Sequence, residues 1–218
     1  MQDTTPHAPA RTDHVHEAVP IETAFDFLNT YELEGDAYVD RLTSLDVAAR
    51  WLVDHAVIGN RRWIVGLNAK HDPTHALDRI RSTRTALWDV AHAVAHAEAP
   101  QPAAVAEVNR ALGSRERLEL VPAADGVKLG HSHVGDGVDD ALARIAEPIV
   151  RALGTGHDDR IRICANDTCQ WLFFDESRTG QRRWCNMKTC GNRAKARRHR
   201  ERRKSAGAAP TGDAGLIG

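Results

Sequence analysis

The 218-residue sequence predicts a mainly α-helical N-terminal domain with one small β-hairpin, followed by a C-terminal module that is held by four cysteines and ends in a basic helix. Three observations carry this expectation. Apolar residues recur at helical spacing through roughly the first 160 positions. All four cysteines fall in the last quarter, as Cys164-x4-Cys169 and Cys185-x4-Cys190 with fifteen residues between the pairs. Eight of the twelve residues from Arg193 to Lys204 are Lys or Arg.

Taken in chain order, residues 1–20 read as disordered, and residues 21–159 as one domain long enough to own a core. Phe25, Leu28 and Leu33 begin that core. Ser44 has the chemistry of an N-cap for a helix carrying Leu45, Leu52 and Ala56. Asp72-Pro73 opens the longest helix, with Leu77, Ile80, Leu87, Ala91 and Val94 on one face. Pro102 to Leu112 makes a shorter helix ended by Gly113. Leu118-Glu119-Leu120 and Val127-Lys128-Leu129 alternate around Asp125-Gly126, which predicts a hairpin. A last helix spans Asp139 to Leu153, kinked or interrupted at Pro148. Gly154-Thr155-Gly156 links it to the module at 160–204, and 205–218 is an Ala/Gly/Pro-rich tail read as disordered.

Within the module, Arg160-Ile161-Arg162-Ile163 alternates polar and apolar and enters the first cysteine pair as a strand. Gln170 to Phe174 reads as a second strand, which Ser177-Arg178-Thr179-Gly180 would turn back through Arg183-Trp184-Cys185 as a hairpin. Gly191 permits backbone geometry closed to other residues, and Asn192 is a good N-cap, so a helix should begin at Arg193. The layout resembles a treble-clef finger.

Two disulfides would also use four cysteines, but they require an oxidising compartment. The stretch MQDTTPHAPARTDHVHEAVP lacks the apolar core of a secretory signal, and no segment approaches the ~20 apolar residues of a membrane span. The expected location is therefore the cytoplasm, where paired cysteines are more often ligands. Unrelated buried thiols are the other alternative, and their regular spacing beside a charged, turn-rich segment speaks against it. Four thiolates suit zinc in a tetrahedral cage, with iron as the competitor that spacing alone leaves open. Four protein ligands leave no open position, so Cys164, Cys169, Cys185 and Cys190 should hold one structural ion. The module needs it, because so small a segment with so few large apolar residues buries too little surface to fold alone.

Charge points to a partner. Residues 160–204 hold fourteen Lys and Arg against Asp167, Asp175, Glu176 and Glu201, leaving fifteen bases against twenty-six acids elsewhere, so the net charge of −1 hides two opposed halves. A basic module of this density attracts polyphosphate by releasing condensed counterions. The candidate DNA contacts are Arg178, Arg182, Arg183, Arg193, Lys195, Arg197, Arg198, Arg200, Arg202, Arg203 and Lys204. On the helix, Arg193, Arg197, Arg200 and Lys204 share one face and Lys195, Arg198 and Arg202 another. Only a narrow stripe around Ala194, with Met187 and Trp184 before it, is expected to rest on the finger. A solvated helix face, or a clamp on the chain's own acidic half, would read the same way.

The run CANDTCQWLFFDESRTGQRRWCNMKTCGNRAKARRHRERR resembles the CGNR zinc-finger family of bacterial proteins, named for Cys190-Gly191-Asn192-Arg193. In that family the finger follows an ABATE domain, and Asp26-Phe27-Leu28-Asn29-Thr30 with Ala49-Arg50-Trp51-Leu52 is similar to one. The resemblance implies a stress-induced transcription regulator that binds double-stranded DNA.

Twelve histidines are present, and the pairs His71/His75, His92/His96 and His131/His133 lack the carboxylate of H-E-x-x-H, so they read as scattered surface residues. No nucleophile motif, phosphate-binding glycine loop or paired-carboxylate pattern marks an enzyme. The sequence is read as a cytoplasmic DNA-binding regulator whose N-terminal domain dimerises or senses a small-molecule effector. The alternatives are an adaptor whose finger docks an acidic partner, and a ligand-storing domain that the finger only stabilises.

Overall fold

The computed structural model describes residues 18–59, 73–113, 117–123, 126–132 and 136–207. The expectations for residues 1–17 and 208–218, and those for His71 and His133, lie outside these. Helix α1 (Ile21–Leu28) buries Ala24, Phe25, Phe27 and Leu28. Strands β1 (Tyr31–Glu34) and β2 (Ala37–Asp40) follow as an antiparallel hairpin around Gly35, at φ +65°. This hairpin was not anticipated, and Leu33, expected to begin the core, lies half-buried on β1 instead. Helix α2 (Leu45–Asp54) starts at Ser44, whose side chain accepts from the Val47 N–H as expected. It stops before Ala56, which is exposed at φ +55° and is not part of the helical core face.

Helix α3 (Pro73–Ala95) is the longest, and α4 (Pro102–Leu112) packs along it. Strands β3 (Arg117–Ala123) and β4 (Gly126–Ser132) form the predicted hairpin, with Leu120 opposite Leu129. Helix α5 (Gly137–Gly154) begins two residues earlier than expected, at a capping box between Asp136 and Asp139. Pro148 lies inside it without ending it. Fully buried Leu142, Ile145 and Ile149 surround the proline, and their burial offsets the roughly 3 kcal/mol an internal proline costs.

One core unites these helices, with Phe27, Leu28, Leu52, Ile80, Leu87, Leu142, Ile145 and Ile149 at its centre. Strands β5 (Ile161–Ile163) and β6 (Leu172–Phe174) contribute Ile161 and Leu172 to that same core. A charged pair is sunk into its flank: Arg84 donates to both Asp40 oxygens at 2.8 and 2.7 Å and to Thr30 Oγ1 at 2.9 Å. Its guanidinium also lies over the Tyr31 ring.

The chain after Gly154 makes a 3-10 turn (Asp158–Arg160), the β5–β6 pair, a π turn (Met187–Gly191) and helix α6 (Asn192–Gly207). Three expectations are corrected here. Of the expected strand Gln170–Phe174, residues Leu172–Phe174 pair with β5 and not with the Arg183–Cys185 stretch, so the hairpin flanks the first cysteine pair. Asn192 is not the N-cap: Asn186 is, accepting at Oδ1 from the Lys188 and Thr189 N–H groups, while the Asn192 amide donates back to the Lys188 carbonyl. The capping residue lies six residues upstream because the π turn runs straight into α6. Gly191 likewise has no left-handed φ; a Cβ there would stand 2.8 Å from Met187 Sδ, so what it supplies is room.

Candidate metal centre and nucleic-acid interface

Each cysteine sits on a backbone that the neighbouring strands fix. Strand β5 leads into Cys164, whose N–H bonds to the Trp171 carbonyl at 2.8 Å, while Asn166 closes the first turn by accepting from Cys169 and Gln170. Gln170, at φ +54°, completes that turn. The second pair is brought over by the segment after β6, where the Ala165 N–H meets the Arg183 carbonyl at 2.8 Å.

Asp175 anchors this segment. It is fully buried and accepts from the Ser177 N–H at 2.9 Å and the Arg182 N–H at 2.7 Å. Burial alone would raise its carboxyl, but the bonds from Ser177 and Arg182 outweigh that and hold it below the ordinary 3.8. Beneath the Ser177 turn, Arg160 donates to the Asp175 and Ser177 carbonyls. Gly180, at φ +62°, lets the Arg160 guanidinium pass where a Cβ would come within 3.0 Å.

These constraints bring the four Sγ atoms within 4.8 Å of one another. Cys169 and Cys185 are 3.7 Å apart, and Cys185 and Cys190 3.9 Å. A tetrahedral zinc with bonds of about 2.3 Å requires sulfur–sulfur edges of about 3.8 Å, so the donor set fits such an ion. All four cysteines are free of disulfides, with Cys164 and Cys190 buried and the other two half-buried. Left to themselves the sulfurs contend for shared protons: bonds from Cys169 and Cys185 lower the Cys164 thiol to about 2, and the bond to Cys164 pushes Cys169 up to about 12. A central cation removes that conflict by favouring every thiolate. Backbone N–H groups of Cys185 and Asn166 favour the charged form of Cys164, and Asn166 Nδ2 lies 3.6 Å from Cys190 Sγ. These are the outer bonds that orient metal ligands. Among the described residues this is the group able to hold a metal. His92 instead stacks on Trp88 and meets His96 in a surface ladder of rings.

The basic residues divide by position. Arg193, Lys195, Arg197, Arg198, Arg200, Arg202 and Arg203 are exposed on α6, with Ala194 half-buried as the resting stripe. Lys204 lies further along the same helix. Arg197 reaches Asp167 at 3.1 Å, and Arg198 and Arg183 both lie over the Trp184 ring, which seats the helix on the cysteine centre. Arg178 is exposed on its turn. Arg182 is tied inward: it donates to the Cys185 carbonyl at 2.6 Å and covers Phe173.

The finger's other side is fastened to the helical part. Asn29 bonds Leu172 twice, the Trp171 indole donates to Glu32 at 3.1 Å, and Phe25 stacks on Phe174. A cavity of about 620 Å³ opens beside this junction, lined by Val94 and His96 from the helical part and by Arg162 and Arg183 from the finger. The sequence reading missed Asn29, Asn166 and Asp175. Asn29 lies in the DFLNT run that marked the N-terminal resemblance, while Asn166 and Asp175 carry no signal apart from lying between cysteines.

No helix among the described residues is long and apolar enough to cross a membrane. No curated protein matches the chain. Residues 160–203 match the CGNR zinc finger, with the four clustered cysteines inside the matched segment. Residues 22–156 match ABATE, described as "Putative stress-induced transcription regulator", and with the two in this order the chain belongs to the ABATE family and carries a C-terminal CGNR zinc finger.

Proposed function

We propose that the protein is a cytoplasmic bacterial transcription regulator of the stress response that binds double-stranded DNA through helix α6. Its finger holds one zinc ion per chain at Cys164, Cys169, Cys185 and Cys190. The observation that carries the reading is the run of exposed cationic side chains on α6, seated on a rigid centre by Trp184 and the Arg197–Asp167 contact. Zinc bound there supplies fold energy and a fixed origin for the helix, not chemistry on a substrate. Arg193, Lys195, Arg197, Arg198, Arg200, Arg202, Arg203 and Lys204 contact phosphate or base edges, with Arg178 and Arg183 at the flank. Arg182 acts by holding the Cys185 loop in place. The helical domain dimerises, and a small-molecule effector that shifts the domain junction would be felt by the finger.

Titration of the zinc-loaded full chain with duplex DNA at several salt concentrations tests this. Log affinity should fall linearly with log salt, by about 0.9 per phosphate contact. Absence of binding at low salt overturns the reading. A second reading, an adaptor for an acidic protein, is favoured by Met187, exposed beside the helix at its N-terminal end. It predicts capture of an acidic protein that duplex DNA does not displace.

A further inference from the structure

Three parts of the chain line the cavity at the junction. The end of α3 supplies Val94 and Ala95, the 3-10 turn and β5 supply Asp158, Asp159 and Arg162, and the segment after β6 supplies Arg182 and Arg183. At about 620 Å³ it lies within the range of small-molecule sites, about 300–1,000 Å³.

Its charges are of both signs, and they do not neutralise one another. Arg162 and Arg182 are held by backbone, the first donating to the Gly180 carbonyl and the second to the Cys185 carbonyl, both at 2.6 Å. The side chains of Asp158, Asp159 and Arg183 make no hydrogen bond or ion pair among the described residues. All three are exposed. Opposite charges that line one cavity without meeting leave room for a ligand that answers both. We propose that this cavity is the effector site of the DNA-binding regulator read above, on which reading the inference rests. Its ligand is a small zwitterion of the α-amino-acid class, with its carboxylate on Arg183 and its ammonium on Asp158 and Asp159.

Charge decides the class. A ligand of negative charge alone, such as a nucleotide or a DNA phosphate, would face two unpaired carboxylates and the C-terminal end of α3, where a helix carries partial negative charge. A cation alone would face three guanidiniums. An apolar molecule would strip water from all of these charges and return no bond. A zwitterion satisfies both signs, and a guanidinium can take a carboxylate bidentately. Val94, Ile161 and Ile163 offer apolar surface to the ligand's side chain.

Arg183 connects the cavity to the DNA helix. Its guanidinium lies 5.3 Å from the centre of the Trp184 ring, and that of Arg198 on α6 lies 6.0 Å from the same ring. A carboxylate that draws Arg183 away removes one of the two cations on that ring and changes how α6 is seated. Occupancy of the cavity and affinity for DNA are then coupled.

Isothermal titration calorimetry of the zinc-loaded full chain with each standard L-amino acid in turn tests this. At least one should bind with a Kd of about 1 mM or tighter. Its N-acetyl derivative lacks the ammonium and its amide lacks the carboxylate, so each should bind about tenfold more weakly or worse. The Asp158→Asn/Asp159→Asn double variant and Arg183→Gln should weaken binding as much, with zinc content and circular-dichroism spectrum unchanged. The bound amino acid should also shift duplex affinity by about fivefold or more. The inference is overturned if no amino acid binds, if the derivatives or the variants bind as well as their parents, or if occupancy leaves duplex affinity unchanged. A chain that binds the amino acid but no DNA, with or without it, overturns the functional reading and leaves the zwitterion site standing.

Discussion

The side-chain amide of Asn29 takes both backbone polar groups of Leu172, donating to its carbonyl at 2.8 Å and accepting its N–H at 3.0 Å, across 143 residues of chain. Asn29 thereby acts as a one-residue neighbour to strand β6. Leu172 follows Trp171, whose carbonyl holds the Cys164 N–H, so the grip lies one residue from the cysteine centre. Asn29→Leu leaves two buried backbone groups unsatisfied and should cost about 2–5 kcal/mol. Urea unfolding at constant m-value reads this, together with weaker zinc retention against a chelator. A change below about 0.5 kcal/mol would show that the bonds contribute little.

Removal of a cysteine ligand should act on the whole chain. Ile161 and Leu172 belong to the main core, so Cys185→Ser should abolish metal binding and also lower the melting temperature of the helical part. Elemental analysis of the wild type should give one zinc per chain, and the protein should lack the visible absorption of an iron–thiolate site. A mutant with full zinc content, or a helical part that melts unchanged, contradicts this.

Replacing Arg197, Arg198 and Arg200 together with Ala should weaken duplex binding and make log affinity less dependent on log salt, by nearly one unit for each phosphate that is no longer neutralised. Zinc content should stay constant. The same substitutions remove the Arg198 contact with Trp184 and the Arg197–Asp167 pair that seat the helix, so Arg200→Ala with Arg202→Ala, which touches neither contact, should weaken binding in the same way. If binding is unaltered, the DNA surface lies at Arg178 and Arg183 instead.

Asp40 and Asp175 set the acid limit. Burial raises each carboxyl, but Arg84 lowers Asp40, and Ser177 and Arg182 lower Asp175, so both lie below their ordinary 3.8 when folded. A group depressed by folding stabilises the native state above its unfolded value and loses that contribution as pH falls through the folded one. Stability should therefore be level near neutrality and fall below about pH 4. Asp175→Asn should flatten that decline. Asp40→Ala, which strands the buried Arg84 charge, should cost about 3–5 kcal/mol at pH 7 by urea denaturation.

The long elements were legible because each depends on local pattern. The 23 residues of α3 repeat their apolar face several times, and Ser44 announces α2 by its own chemistry. The cysteine set was legible because spacing constrains metal ligation. Among the short elements, β5 and β6 were expected as strands but their pairing with each other was not, and β1 and β2 were missed. β1 and β2 are four residues each, and β5 and β6 three, so their pairing is decided by contacts distant in sequence, as when Asn29 and Phe25 draw β6 onto α1. Pro148 misled because local propensity argues for a break where eleven buried residues along α5 argue for continuity. The inward bond of Arg182 was invisible for a similar reason: an arginine in a basic run looks like its neighbours until the Cys185 carbonyl is placed beside it.

The fastening of β6 to the helical part bears on how such a chain can be inherited. A finger moved by recombination as a cassette beginning at Arg160 would arrive with the backbone of Leu172 unanswered, the Trp171 indole without Glu32 and the Phe174 ring without Phe25. Its new host would have to present an asparagine, a carboxylate and an aromatic ring at matching positions. Exchange between genes is therefore restricted to donors and hosts that already share this short N-terminal surface, and the two segments should travel through evolution as a linked pair.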